Sequence, residues 1–320
     1  MYSNQLHFYL QILLAILKTY TNLIKAIAVK TALRLLAYLP LTWIKRLAKF
    51  LALRLLSFPN LSLIRVIRLN IQHCFPQLTP EQQQQLLKNN LIETLRTFLS
   101  LGLVWFAPVD KVLALIKTVE NEALLTQALQ RKKGVILLSL HLGGWEIGGL
   151  YLGRKLHLTS LYKPPKINAL HPMIKQVRQR SNGTMVATDA NGVRQLLKVL
   201  RQGQCVGILP DHDPEQNNGV FAPLFGISAH TMTLIAKLAR KTGATVLFVY
   251  AERVNDDNYC LHYAPALPEI ADKDLSRATT ALNQGIEHCI RRHPSQYLWA
   301  YKRFKRHPQG LPNIYESDEN

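Results

Sequence analysis

The stretch GVILLSLHLGGWEIGGL, Gly134 to Leu150, decides how this chain is read. GVILLSL is a short unbroken apolar run, the pattern of a strand buried on both faces of a sheet. It ends at His141, passes the pair Gly143-Gly144 and reaches Glu146 just beyond. The carboxyl end of a strand in a layered α/β fold is where polar groups gather into sites. On a continuous helix five residues turn the chain by about 500°, which leaves the two side chains about 140° apart and out of contact. A helix that starts only near Gly144 removes the conflict, because glycine permits the tight turn that folds the histidine back over the first helical turn. A carboxylate on one ring nitrogen would then fix the tautomer and leave the other nitrogen free to take a proton. With 11 histidines and 20 acids in 320 residues, chance supplies roughly one such pair, so spacing by itself is weak evidence. The plainer alternative is a core histidine bonded to a backbone carbonyl, with Glu146 a surface acid.

Strands and helices alternate on the C-terminal side of this stretch. LTSLYKP, TMVATD and CVGILPD read as strands, and ALHPMIKQVRQRS and GVRQLLKVLRQG as helices. AHTMTLIAKLARKTGA reads as one helix closed by Gly243. TVLFVYAERV and NYCLHYAPAL form a strand pair turning at Asn255–Asn258, and a helix runs from about Asp274 to Arg292. This order predicts an α/β fold, a largely parallel mixed sheet flanked by helices. The first third is different: helices separated by Pro40, Pro59 and Pro76, then a long one with Thr79 as N-cap, Pro80 at its first position and Glu81 in its first turn.

Charge separates the two parts further. The net charge is +19, and no acid precedes Glu81, while ten lysines and arginines are set among leucines, isoleucines and aromatics. Such charge calls for an anionic partner. So leucine-rich a leader suits an anionic membrane surface better than nucleic acid. Met1–Leu17 is short of the ~20 apolar residues of a spanning helix, and no cleavage-site pattern follows it. Residues 1–56 are therefore expected to be helices lying in a membrane interface with lysines snorkelling. An ordinary helical subdomain and a tilted span near Tyr9–Val29 are the alternatives. The division expected is 1–56, membrane-associating; 57–312, α/β domain (57–130 lead-in, 131–312 core); and 313–320, tail. Cys74, Cys205, Cys260 and Cys289 form no CxxC pair, which suits reduced thiols better than a disulfide framework or a zinc site.

His141-x4-Glu146 after an apolar strand resembles the signature of glycerolipid and lysophospholipid acyltransferases. LYKPP, the stretch from QRSNGTMVATD through PDHDP to FAPLFG, YLWAYKRFKRHPQG and NIQHCFPQLTPEQ are similar to the bacterial lipid A late acyltransferases of lauroyl/myristoyl transferase type. The resemblance runs from about Thr31 to Pro312, and PDHDP and YKRFK are its most specific parts. It implies a glycerolipid acyltransferase-like fold and transfer of an acyl chain, usually from acyl carrier protein, to a hydroxyl of a lipid A precursor. The setting it implies is the bacterial inner membrane, with the catalytic part facing the cytoplasm. His141 would be the general base and Glu146 its orienting partner, both needed for transfer more than for stability. No cofactor and no metal are implied.

Lys163, Arg180 and Arg194 are candidates for the acceptor's phosphate or sugar-acid groups; solvated helix-face charge is the alternative. Asp211 and Asp213 of PDHDP would either position the acceptor or hold basic residues in place. Adjacent loop residues point apart, so Asp211, His212 and Asp213 are not expected to hold a metal. FAPLFG would line an acyl groove or pack in the core. Lys302, Arg303, Lys305 and Arg306 are expected to meet the acidic carrier protein. Where family members often have Arg, Lys163 offers a point charge, and Glu215 stands where several have glycine. The same chemistry on a lysophospholipid or another glycolipid, and a non-catalytic anionic-membrane binder, are the other readings.

Overall fold

Val135–Gly143, the strand read first, is β2, and it lies at the centre of a seven-stranded sheet. The computed structural model describes residues 21–165, 167–254, 258–310 and 313–316. The sheet order is β1-β9-β8-β2-β5-β3-β4, built from Ile116–Glu120 (β1), β2, Thr159–Tyr162 (β3), Thr184–Ala187 (β4), Cys205–Ile208 (β5), Thr245–Arg253 (β8) and Tyr259–Pro265 (β9). All neighbours are parallel except β8 and β9. The largely parallel α/β fold expected from the strand–helix alternation is present. Alternate residues of β2 feed the two layers: Ile136, Leu138, Leu140 and Leu142 enter one core, Val135 and Leu137 the other. Covering both faces is what makes the run apolar without alternation.

The helices that cover the sheet include Trp145–Leu156 (α7), His171–Gln179 (α8), Ala190–Arg201 (α9), Leu234–Thr242 (α10) and Leu275–Arg292 (α11). Ahead of the sheet come a helix over residues 21–36 (α1), Leu41–Leu56 (α2), Ser62–Cys74 (α3) and Pro80–Phe106 (α4). Thr79 and Gln82 complete a capping box at the start of α4. No helix among the described residues is long and apolar enough to cross a membrane. Residues 1–20, which carry the start of the expected membrane-associating leader, the turn at residues 255–257 and most of the expected tail lie outside the described residues.

One reading of the sequence needs correction. The stretch taken as a helix from Ala229 begins as a strand, and only Leu234–Thr242 is helical. Ile227–Met232 (β7) pairs antiparallel with Gly219–Leu224 (β6), around Phe225 and Gly226, both at positive φ. FAPLFG is therefore a hairpin arm, not a groove lining. His230 is accommodated on the strand because Asp213 accepts from its ring. The small strand β1, the short helix Val109–Leu113 (α5) and the helix Glu122–Gln130 (α6) carried no clear signal.

Candidate active site

The end of β2 is held in an irregular shape. Ser139 pairs with Val249 of β8, but the next paired residue, Gly143, meets Ala251, so four residues of β2 pass against two of β8. Bulges of this kind re-aim side chains, and His141 sits in the middle of it. Gly143 has φ +59°, and a Cβ there would lie 2.1 Å from the carbonyl oxygen of Ala251. Only glycine fits. Helix α7 then starts at Trp145, as the five-residue spacing required.

The partner of His141 is Asp211. Its Oδ1 lies 3.0 Å from His141 Nδ1, and its Oδ2 accepts the His141 backbone N–H at 2.9 Å. The register explains the meeting. Leu138 of β2 is level with Ile208 of β5, and both functional residues lie three positions further along. The His141 carbonyl in turn accepts from Leu298 N–H, and Leu142 bridges to Tyr297. Asp211 is fully buried. Burial works against its charge, but His141 and the two hydrogen bonds outweigh it and hold the carboxyl well below the usual range. With Nδ1 engaged, Nε2 is the nitrogen left to exchange a proton.

His212 and Tyr301 extend this arrangement. The His212 ring stacks on His141 at 3.9 Å with an interplanar angle of 2°, and Tyr301 stacks on the far side of His212 at 4.0 Å. Burial, and then the charge of His141, push the His212 imidazole down to about 4. It stays neutral at neutral pH. The residue lay in the quoted PDHDP but was considered only as a metal ligand; its stacking had no sequence signal.

Glu146 occupies a different place from the one expected. Arg178 Nε donates to both carboxylate oxygens at 3.1 Å and its NH2 group donates to Oε1. Trp105 Nε1–H donates to Oε2 at 3.2 Å. Burial raises this carboxyl, but Arg178 above all keeps it below the usual range. The glycine turn does bring His141 and Glu146 to one cavity, yet the carboxylate that accepts from the imidazole is Asp211. Arg178 was missed, and Arg180 was chosen in its place. Positions two apart on a helix do not share a face.

The cavity has a volume of about 930 Å³, and its lining includes His141, Trp145, Glu146 and Arg178. Leu158, Met185, Val193 and Ile208 are among its apolar lining, and Lys163, Glu215 and Lys237 stand on its exposed rim. Lys163 faces Glu215 at 3.6 Å, both well exposed. Arg180 and Arg194 do not line it. The Arg180 guanidinium donates to the carbonyls of Val104 and Ala107 at the end of α4, where helix carbonyls lack internal partners. Arg194 is exposed and bonds Asn191 on its own helix. Asp213, 1% exposed, receives His230, Lys305 and Arg306. Of the two roles weighed for it, holding basic residues is the one its contacts show. Arg303 is buried and donates to His230 O and Thr231 Oγ1, so much of the C-terminal basic cluster is spent inside the molecule.

The α/β sheet thus sets an imidazole–carboxylate pair beside a cavity with much apolar lining, an arrangement able to move a proton next to an apolar substrate chain. The family model for bacterial lipid A biosynthesis acyltransferase matches residues 14–306, and the chain belongs to that family. It is 29% identical over 255 residues to a lipid A biosynthesis lauroyltransferase of Escherichia coli strain K12, covering 78% of this chain and 82% of that one. It is 29% identical over 252 residues to the palmitoleoyltransferase of the same strain, covering 78% and 81%. A lipid A biosynthesis acyltransferase of Haemophilus influenzae is 25% identical over 255 residues, covering 78% and 80%. The protein is an acyltransferase of lipid A biosynthesis.

Proposed function

We propose that the protein transfers a fatty acyl chain from acyl carrier protein to a hydroxyl of a lipid A precursor, with His141 as general base and Asp211 as the group that orients it. The observation that carries this reading is the His141–Asp211 pair, with the His141 side of it lining the cavity. His141 Nε2 takes the hydroxyl proton as the oxygen attacks the thioester carbonyl. The tetrahedral intermediate then collapses, the carbon–sulfur bond breaks, and the imidazolium returns the proton to the leaving thiolate. Asp211 stabilises the imidazolium formed in between. Glu146 acts one step back, by fixing Arg178 and the wall of the cavity. Lys163, joined by Lys237, supplies charge on the rim for the acceptor's phosphate or sugar-acid groups.

Charge and exposed apolar surface support a membrane setting for residues 1–56, the bacterial inner membrane with the catalytic part facing the cytoplasm. Ile24, Ile27, Leu35, Tyr38, Trp43 and Phe50 are exposed beside Lys25, Lys30, Arg46, Lys49 and Arg54. Apolar side chains of that size, rimmed by cations, suit a headgroup interface. The carrier-protein donor is favoured by the +19 charge; the pairing of Lys305 and Arg306 with Asp213 and the burial of Arg303 count against the C-terminal cluster as its docking surface. A labelled-donor assay on purified His141→Ala, with lipid A profiles from cells with and without the gene, tests the reading. Turnover near wild type in the folded variant refutes it, and acylation of a lysophospholipid with unchanged lipid A replaces the acceptor.

A further inference from the structure

On the other side of β8 from β2, three histidine and carboxylate side chains meet that take no part in the acyl site. Glu252, at the end of β8, has Oε2 at 2.8 Å from His262 Nε2 and Oε1 at 3.0 Å from His293 Nδ1. His262 comes from β9 and His293 from the residue after α11. One donor atom from each lies within 4.8 Å of the others. The second ring nitrogen of His262, Nδ1, is 3.0 Å from Glu120 Oε2 at the end of β1. Tyr250 stacks on the His262 ring at 4.9 Å and 18°, fixing its plane. His293 Nε2 is buried without a hydrogen-bond partner. His262 is 7%, His293 14% and Glu252 20% exposed.

We propose that Glu252, His262 and His293 bind a divalent transition-metal ion, with zinc the expected occupant, and that Glu120 is the carboxylate behind the His262 ligand. Two imidazoles and one carboxylate make a donor set that zinc takes with three protein ligands. A ligating histidine whose other N–H is given to a carboxylate is the usual supporting arrangement, since it sets the tautomer and ring orientation. Glu120 provides it here. A tetrahedral ion with bonds of about 2.0–2.2 Å needs its ligand atoms some 3.3–3.5 Å apart; the three donor atoms already lie within 4.8 Å of one another, and binding an ion would draw them to that spacing. A dication also matches the two carboxylates, Glu120 and Glu252, in charge. The ion would tie β8 and β9 to the segment after α11. That segment carries Tyr297 and Leu298, which hold the backbone of Leu142 and His141. The role is therefore a clamp on the frame of the site, not a place in the reaction.

The test uses full-length protein in detergent, stripped with chelator and titrated with zinc alone. One equivalent of zinc retained after desalting, with a rise of about 5 °C or more in Tm at saturation, supports the site, as does loss of both effects in His293→Ala and in Glu252→Gln. Absence of retained zinc and of any shift in the wild-type protein overturns it, as does retention of both in the two variants. Cobalt in place of zinc distinguishes the ligand sets without any variant. A tetrahedral d–d spectrum lacking a thiolate charge-transfer band supports two histidines and a carboxylate. A thiolate band that disappears in Cys260→Ser overturns the assignment in favour of Glu120, Cys260 and His262, which also lie within reach of one another.

Discussion

Asp211→Asn isolates the orienting carboxylate without changing its shape. In the native site Oδ2 accepts the His141 backbone N–H at 2.9 Å and Oδ1 faces Nδ1 at 3.0 Å. An asparagine amide has one acceptor and one donor end. The backbone N–H is fixed and can only donate, so the amide oxygen must turn toward it. That leaves the NH2 group facing Nδ1. Nδ1 must then become the acceptor, and the ring proton moves to Nε2, the atom that should take the substrate's proton. The variant loses a charge-assisted hydrogen bond worth about 1.5–3 kcal/mol and also holds the imidazole in the wrong tautomer, an error that costs about 10⁴-fold in a serine protease. A fall in kcat of about 10²–10⁴-fold follows, with a small change in KM. Steady-state assays with labelled acyl donor, paired with thermal melts, measure it. A folded Asp211→Asn enzyme with kcat within about threefold of wild type would refute the reasoning. So would a Glu146→Gln enzyme that melts like wild type yet loses far more kcat than Asp211→Asn.

Glu146→Gln leaves the Arg178 guanidinium without its counter-charge in a mostly buried place, and stability should fall by about 3 kcal/mol; the double replacement Glu146→Leu with Arg178→Met should cost less, and chemical denaturation compares them. His212, pushed down to about 4 from 6.5, takes up a proton in the unfolded chain before the folded one. Stability is thus complete above pH 6.5 and declines by up to about 1.4 kcal/mol per unit as pH falls toward 4. His212→Phe keeps the stack and should flatten that decline, whereas superimposable pH–stability curves would count against it. Membranes washed in high salt should retain the full-length chain, because screening weakens the cations and leaves the buried apolar side chains unaffected; release by salt would indicate a purely electrostatic contact.

Much of the molecule was legible in one dimension because its signals are local. Burial on both faces makes β2 an unbroken apolar run, and a helix start needs the cap that Thr79 and Gln82 provide. The Gly143-Gly144 pair marked the turn that ends β2 before α7 starts at Trp145. PDHDP and YKRFK were enough to mark the family. Elements without a strong period, such as β1 and the β6–β7 hairpin, escaped for the same reason. His230 and Thr231 look polar, yet they are buried, and the groups that satisfy them, Asp213, Asn283 and Arg303, come from outside the hairpin.

Which carboxylate serves His141 was not local information. Glu146 is five residues away and Asp211 seventy, but a sheet measures distance by register. Strands β2 and β5 lie side by side with Leu138 level with Ile208, so equal steps of three carry His141 and Asp211 to the same height, about 4.8 Å apart in strand spacing. Nothing in the sequence states which strands are neighbours. The same holds for Arg178, which reaches Glu146 from a separate helix, and for Arg180, taken up by the end of α4. The sequence by itself determined the fold class, the strand-end histidine and the need for glycine beside it, because each follows from backbone geometry within a few residues. Only the tertiary structure decided the pairing of charges, because burial makes every charged group find its partner in space, whatever its distance along the chain.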